Sequence, residues 1–212
     1  LEALEIKSIT AYRRTSGEFF RDPDNSPLVI THTSNPDYDH EQLTQEFTFT
    51  GEMGRLEYVA GLFYLTEEGT DNVFVPLAPS LGFITNLADI DNESAAVYGQ
   101  ATWDITDRWR LTGGLRYTRD DKTFTPFQRI LFGADRPAPA VSVPLITNHT
   151  LDASIAQPPG RLAFEFEPND ATLYYASFTQ GFKSGGFNFR YVVPRDEALA
   201  FDPETVDSYE AG

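Results

Sequence analysis

The stretch VYGQATWDITDRWRLTGGLRYT, residues 97–118, carries the strongest evidence for the fold. Apolar and polar side chains alternate on both sides of a short polar turn, which is the pattern of an antiparallel β-hairpin with two chemically different faces. A three-residue turn at 105–107 predicts that Trp103 lies opposite Trp109. The pairs that follow from this register are Ala101–Leu111, Gly99–Gly113 and Val97–Leu115.

One face of this hairpin is apolar and ends in an aromatic residue on each side. From Trp109 to Tyr117 the strand rises by about eight steps of ~3.3 Å, or ~20 Å of depth at a tilt near 40°. That height fits a lipid-facing band between two aromatic girdles. The predicted lipid-facing residues are Val97, Ala101, Trp103, Trp109, Leu111, Leu115 and Tyr117. The predicted lumen-facing residues are Gln100, Thr102, Asp104, Arg110 and Arg116.

The same alternation extends over the rest of the chain. Eight segments show it, at 3–13, 41–50, 55–67, 93–104, 108–120, 160–167, 171–182 and 203–212. In the 171–182 segment, the alternation does not say which face meets lipid. Short connections at 51–54, 105–107 and 168–170 alternate with long ones at 14–40, 68–92, 121–159 and 183–202. Outer-membrane barrels have this arrangement, with short periplasmic turns and long outer loops.

Composition excludes several other classes of protein. Sixteen basic and 32 acidic residues give a formal charge of −16, which opposes nucleic-acid binding. With no cysteine, the chain has neither disulfides nor thiolate chemistry. Aromatic residues make up 14 % of the chain, which is typical of an ordered β-protein rather than a disordered acidic one.

Several strings carry a specific resemblance. They are SITAYR (8–13), YVAGLFY (58–64), YGQATW (98–103), LTGGLRYT (111–118), YASFTQGFKSGGFN (175–188) and FDPETVDSYEAG (201–212). In this order and spacing they resemble the barrel of TonB-dependent receptors, the active transporters of the Gram-negative outer membrane. The last two strings are the most specific, because in that family they flank one outer loop.

The resemblance implies an all-β antiparallel meander that forms the middle portion of a transmembrane barrel of about 22 strands. Residues 1–212 would supply about eight of these strands, and the plug domain, the TonB-contacting box and the C-terminal strands would lie outside them. The implied function is active uptake of a scarce nutrient complex, such as a ferric siderophore, across the bacterial outer membrane. The implied partners are outer-membrane lipid, the TonB complex through the missing N-terminal region and the small nutrient complex. No enzyme activity and no cofactor are implied.

Possible catalytic and metal motifs are weak. The stretch HEQLT at 40–44 has Thr44 where a zinc protease needs its second histidine, and the GFKS stretch at 181–184 lacks the glycine spacing of a phosphate loop. Acidic residues at Asp22, Asp24, Asp37 and Asp39, and at Asp89, Asp91 and Glu93, favour solvated charge over a calcium site. Catalytic and metal sites are therefore not predicted. Loop aromatics are the candidate substrate contacts: Tyr38, Phe74, Phe83, Phe127 and Phe132.

Two other functions stay open on the sequence alone. A passive porin-like barrel shares the strand pattern, and a soluble acidic β-sandwich, such as a carbohydrate-binding module or a glycosidase with paired carboxylates, shares the alternation. A barrel slice predicts strands paired in sequence order in one open curved sheet. The first segment, 3–13, and the last, 203–212, are then not hydrogen-bonded to each other.

Overall fold

A computed structural model of the protein describes residues 4–22, 33–76, 82–132, 141–146, 149–188 and 199–212. These residues form twelve β-strands and contain no helix. The strands are β1 Glu5–Arg21, β2 Thr33–Met53, β3 Leu56–Pro76, β4 Phe83–Thr106, β5 Trp109–Phe132, β6 Val141–Ile146, β7 Leu151–Gln157, β8 Gly160–Asn169, β9 Thr172–Lys183, β10 Gly186–Asn188, β11 Leu199–Phe201 and β12 Glu204–Ala211. Within the described ranges, no helix is long and apolar enough to cross a membrane.

Ten strands form one antiparallel sheet, and the chain follows it from edge to edge. The order is β1-β2-β3-β4-β5-β8-β9-β12, with β6 and β7 also paired to β5. The predicted all-β, antiparallel and consecutively connected fold is confirmed. Because all the long strands of the described residues pair in one sheet, rather than in two stacked sheets, the β-sandwich alternative is wrong.

Strands β6, β7 and β8 follow one another along the same edge of β5. Leu115 pairs with Gly160 of β8, and Thr118 pairs with Gln157 of β7 in the same register. Pro158 and Pro159 interrupt the ladder because proline has no backbone N–H to donate. The Arg116 N–H still donates to the Pro159 carbonyl at 2.9 Å. β7 and β8 are therefore one wall strand with a proline interruption.

The β10–β11 hairpin is a similar continuation of β9 and β12. Lys183 pairs with Glu204 in the main sheet, and Gly186 pairs with Phe201 in the two-stranded sheet, in an unchanged register. Pro203 lies at the interruption, where it cannot donate to a ladder. The long hairpin thus keeps its alignment beyond the main sheet.

The strands are much longer than the sequence pattern predicts. Residues 33–40, 68–76, 83–92 and 121–132 were expected in long loops, but they belong to strands β2, β3, β4 and β5. Apolar and polar side chains do not alternate regularly through these ranges, and the run Glu67 to Asn72 is polar throughout. Backbone pairing with β4 nevertheless continues through all of that run, since ladder hydrogen bonds do not need apolar side chains. The loop prediction is wrong for these residues.

The predicted register of the central hairpin is also wrong, by two residues. Trp103 pairs with Leu111, because the turn has only two residues, Asp107 and Arg108, and the ladder is irregular between Asp104 and Thr106. The Thr106 Oγ1 stabilises this tighter turn by accepting from the N–H groups of Arg108 and Trp109, each at 3.2 Å. A shift of two residues leaves every side chain on its predicted face.

The two edges of the sheet stay apart. Among the described residues, β1 pairs with β2 alone and β12 with β9 alone, so the predicted open sheet is confirmed.

Very little of the structure is enclosed core. One small cluster of Ala88, Phe124 and Ile146 lies in the part of the sheet beyond the apolar band, with Ile90, Leu151 and Phe187 packed against it.

Candidate functional site: the polar face of the sheet

One face of the sheet, here called the apolar face, carries large exposed apolar side chains on neighbouring strands. Leu115 is 63 % exposed, Leu162 54 % and Val97 52 %. At one end of the face, the Trp109 ring stacks on Phe166 with centroids 3.9 Å apart. A water-soluble monomer rarely exposes an apolar patch of this extent. All seven residues predicted to face lipid share this face by strand alternation and pairing: Val97, Ala101, Trp103, Trp109, Leu111, Leu115 and Tyr117.

The pairing also assigns the faces of β9. Tyr174 pairs with Phe166, and Phe178 pairs with Leu162, so Tyr174 and Phe178 lie on the apolar face together with Ala176. Their neighbours Leu173, Tyr175 and Ser177 point to the opposite side by alternation. Contact of the apolar face with lipid stays a prediction.

Charged side chains follow the apolar band on the same face, beyond Tyr117. The Arg119 Nε donates to Asp121 Oδ2 at 2.9 Å, and this bond, with a second from Ser154, holds the pKa of Asp121 below its usual range. The Arg14 guanidinium does the same for Asp39, with Nη2 to Oδ2 at 2.6 Å. Exposed ion pairs of this kind indicate that the strands continue into water beyond the band.

The opposite side, here called the polar face, holds the five residues predicted to face the lumen. Asp104 accepts from Arg110 Nε at 2.8 Å, and Glu165 lies 3.9 Å from Arg110 on the next strand. Thr102 and Thr112 share a hydroxyl hydrogen bond at 3.1 Å. The structure therefore brings Thr102, Asp104 and Arg110 into one cross-strand polar ladder, while Gln100 and Arg116 lie further along the same face.

A second network on the polar face lies across β2, β3, β4 and β5. The Tyr98 hydroxyl donates to Glu46 Oε1 at 2.6 Å and lies 3.4 Å from Thr48 Oγ1. The Arg116 guanidinium lies over two rings, Phe63 and Tyr98, at 5.6 Å from each centroid.

Tyr98 and Phe63 could not be identified from the sequence as parts of a network. Alternation places Tyr98 beside Gln100 on one strand, but its contacts with Glu46 depend on the registers of two intervening strand pairs. One signal in the sequence could have led to this network: Tyr98 pairs with Gly61, and its ring covers that position because glycine has no side chain. That pairing is visible only when the register is known.

Further along the polar face, the β10–β11 hairpin contacts the wall. The Phe187 ring stacks on Phe124 with centroids 5.6 Å apart, and the Lys122 Nζ donates to the Gly185 carbonyl at 2.8 Å. At the same level of the ladder, three strands away on β2, His40 Nε2 lies 3.7 Å from Asp71 Oδ2. This part of the hairpin is therefore folded onto the polar face.

The five aromatic residues predicted as loop contacts are all in strands, so their placement in loops is wrong. Phe74 and Phe83 have ring centroids 4.5 Å apart and continue the apolar face of β3 and β4. Phe127 continues the apolar face of β5 and lies under the Arg129 guanidinium. Tyr38 is on the polar face, stacked on His40 at 4.4 Å, and Phe132 ends β5. Their role as substrate contacts stays a prediction.

Metal-ligating residues do not converge in the described part of the chain, where no group of three or more His, Asp or Glu side chains could hold an ion. Asp37, Asp39, Asp89, Asp91 and Glu93 lie on strands rather than around a common point. Asp24 lies outside the described residues. The interpretation of these carboxylates as solvated charge stays a prediction.

An open antiparallel meander with one apolar and one polar face is the wall of a transmembrane β-barrel. A family model described as "TonB dependent receptor-like, beta-barrel" matches residues 3–212. The chain belongs to this family of outer-membrane proteins of Gram-negative bacteria. Members of the family are transporters and not enzymes.

Individual relatives agree with the family. Two pesticin receptors of Yersinia enterocolitica, one from serotype O:8 / biotype 1B, are each 26 % identical over 136 residues, or 63 % of this chain and 18 % of the receptor. The crystal structure of the ferric yersiniabactin uptake receptor FyuA from Yersinia pestis matches with a TM-score of 0.78 and 21 % identity, over 99 % of this chain and 30 % of the receptor. This chain thus spans less than a third of the length of the proteins that it matches. The similarity to FyuA shows a shared fold.

Proposed function

We propose that this chain is part of the barrel wall of an outer-membrane receptor for active uptake of a small nutrient complex of the ferric siderophore class. The observation that carries the proposal is the polar face, where ordered charged and aromatic side chains line a wall whose other face is apolar. Family membership supports active transport, and the name of the structural neighbour FyuA, a ferric yersiniabactin uptake receptor, supports the siderophore class.

In this proposal, residues 1–212 are one portion of the barrel domain. A plug domain and a TonB-contacting segment elsewhere in the complete receptor supply gating and energy. The apolar face is in contact with outer-membrane lipid. The polar face is in contact with water, the plug and the passing complex. Its ion pairs, such as Asp104–Arg110, keep this side of the wall polar and hydrated.

The test is uptake by the complete receptor in a Gram-negative host under iron limitation. Cells that express it should accumulate ⁵⁵Fe presented as a siderophore complex, and a matched strain without a functional TonB protein should not. A panel of siderophores of different chemistry would identify the class of complex. Accumulation that is equal with and without TonB would instead indicate a passive porin-like barrel, and no accumulation from any complex would contradict the siderophore class.

A further inference from the structure

A recess on the polar face has an unusual charge for this chain. The protein carries 32 acidic and 16 basic residues, yet two arginines, Arg116 and Arg161, line this recess of about 370 Å³ and no described carboxylate does. Gln100 and Thr179 add an amide and a hydroxyl to its lining. We propose that this recess, here called the anion recess, binds the carboxylate group of a small anionic solute in the barrel lumen.

Strand pairing explains why the recess exists. Gly114 pairs with Gln100 on one side and with Arg161 on the other, and it has no side chain to fill the wall between them. A Cβ at Gly114 would lie only 3.3 Å from the Gln100 Cβ. The interruption of the neighbouring strand at Pro158 and Pro159 borders the same place. The absence of a side chain at Gly114 therefore leaves room for the Gln100 side chain and for the recess beside Arg161.

Arg116 is fixed in position and still has donors to offer. Its Nε donates to Thr118 Oγ1 at 2.9 Å, and its plane is held over the rings of Phe63 and Tyr98. Among the described residues, its terminal nitrogens have no carboxylate partner. A guanidinium that is already ordered loses little entropy when it binds an anion.

Arg161 is exposed and makes no ion pair with any described residue. It lies diagonally across the ladder from Arg116, a spacing of about 7–8 Å between Cα atoms. Two guanidinium groups that line one recess suit a carboxylate, which accepts two parallel N–H bonds from one guanidinium and has lone pairs left for further donors.

The contrast with Arg110 strengthens the inference. Arg110 lies on the same strand and the same face, but Asp104 and Glu165 neutralise it. The wall thus has acidic partners for the arginine outside the recess. Inside the recess, no described carboxylate neutralises Arg116 or Arg161.

The inference rests on the proposed function only in taking the polar face to be in contact with water in the lumen. Its test measures binding without uptake, so a receptor that fails to transport siderophores can still pass or fail it. The probe is succinate, a small dicarboxylate, and its neutral control is succinamide.

The experiment is saturation-transfer NMR on the complete receptor in detergent. We expect saturable binding of succinate that weakens as salt is added, and no saturable binding of succinamide. Arg161→Gln should weaken succinate binding at least tenfold, whereas Arg110→Gln should leave it unchanged. Because Arg161 is exposed, its variant should fold normally, and far-UV circular dichroism checks this. The proposal is overturned if succinate does not bind, if succinamide binds equally well, or if both arginine variants behave alike.

Discussion

Replacing Leu115 by arginine is expected to destabilise the complete receptor in a bilayer by about 2–3 kcal/mol. Gly113 is midway between the aromatic residues Trp109 and Tyr117 on β5, and Leu115 lies two residues from it, or about 5 Å in depth from the midplane at a tilt near 40°. An arginine on the lipid face costs about 2–4 kcal/mol at the midplane and about 0–1 near the interface. Leu115 pairs with Gly99 and Gly160, so no lateral side chain can cover the charge.

The assay is equilibrium unfolding in denaturant from lipid vesicles, followed by tryptophan fluorescence. Leu111→Arg lies at a similar depth on the other side of Gly113 and should cost a similar amount. The matched control is Thr66→Arg, which lies on the same face beyond Tyr64 and beside Glu93, where an arginine should cost less than 1 kcal/mol. Equal free energies of unfolding for Leu115→Arg and the unaltered receptor would refute the assignment of this face to lipid.

Three further outcomes are expected. Tyr98→Phe removes a 2.6 Å hydrogen bond to a carboxylate and should lower the free energy of unfolding by about 1–3 kcal/mol in the same assay. Gly61→Ala should cost about 1–3 kcal/mol, because its methyl group would meet the Tyr98 ring, whereas Gly113→Ala meets no atom within 4 Å and serves as the control. Arg119→Gln should raise the pKa of Asp121, measured by carboxyl NMR. In the unaltered protein, the lowered pKa of Asp121 stabilises the folded state at any pH above the pKa of an unfolded aspartate, about 3.9. This stabilisation is lost as the pH falls through the lower pKa of the folded state. An unchanged pKa of Asp121 in the variant would contradict the pairing.

The faces of the wall could be predicted from the sequence because a strand has a period of two. Trp103, Leu111 and Arg110 keep their predicted faces even though the hairpin register is shifted. The register itself could not be predicted, because it depends on whether the chain turns in two residues or three. That choice is made by local hydrogen bonds such as those to Thr106 Oγ1.

The candidate site was less predictable than the wall. The contact between Tyr98 and Glu46 joins residues 52 positions apart, and it requires the registers of β2, β3 and β4 together. The anion recess likewise depends on Gly114 lying opposite Arg161, which alternation within one strand does not reveal. Strand length was missed for another reason: the polar extensions are held by backbone ladders, which leave no periodic pattern in the sequence.

The apolar face itself contains evidence that the strands cross the membrane at a tilt. On β9 and β12, the apolar pair Phe178–Tyr209 is followed on the same face by the hydrogen-bonded polar pair Gln180–Asp207. On β5, which is nearer the other edge, apolar residues continue further along the ladder to Tyr117. On β1 and β2 they continue further still, to the exposed pair Tyr12–Leu43.

The short turns shift along the ladder in the same direction. The β2–β3 turn follows the Met53–Leu56 pair directly, whereas β4 and β5 continue past the equivalent Trp103–Leu111 pair before they turn. β8 and β9 continue further again, past Phe166–Tyr174. If the strands stood upright in the bilayer, the apolar residues would end at one level of the ladder on every strand, and all the short turns would lie at one other level. The end of the apolar residues and the position of the short turns instead move together along the ladder from β12 to β1. This shift requires strands that are tilted away from the membrane normal, which is the stagger that a closed barrel imposes on its wall.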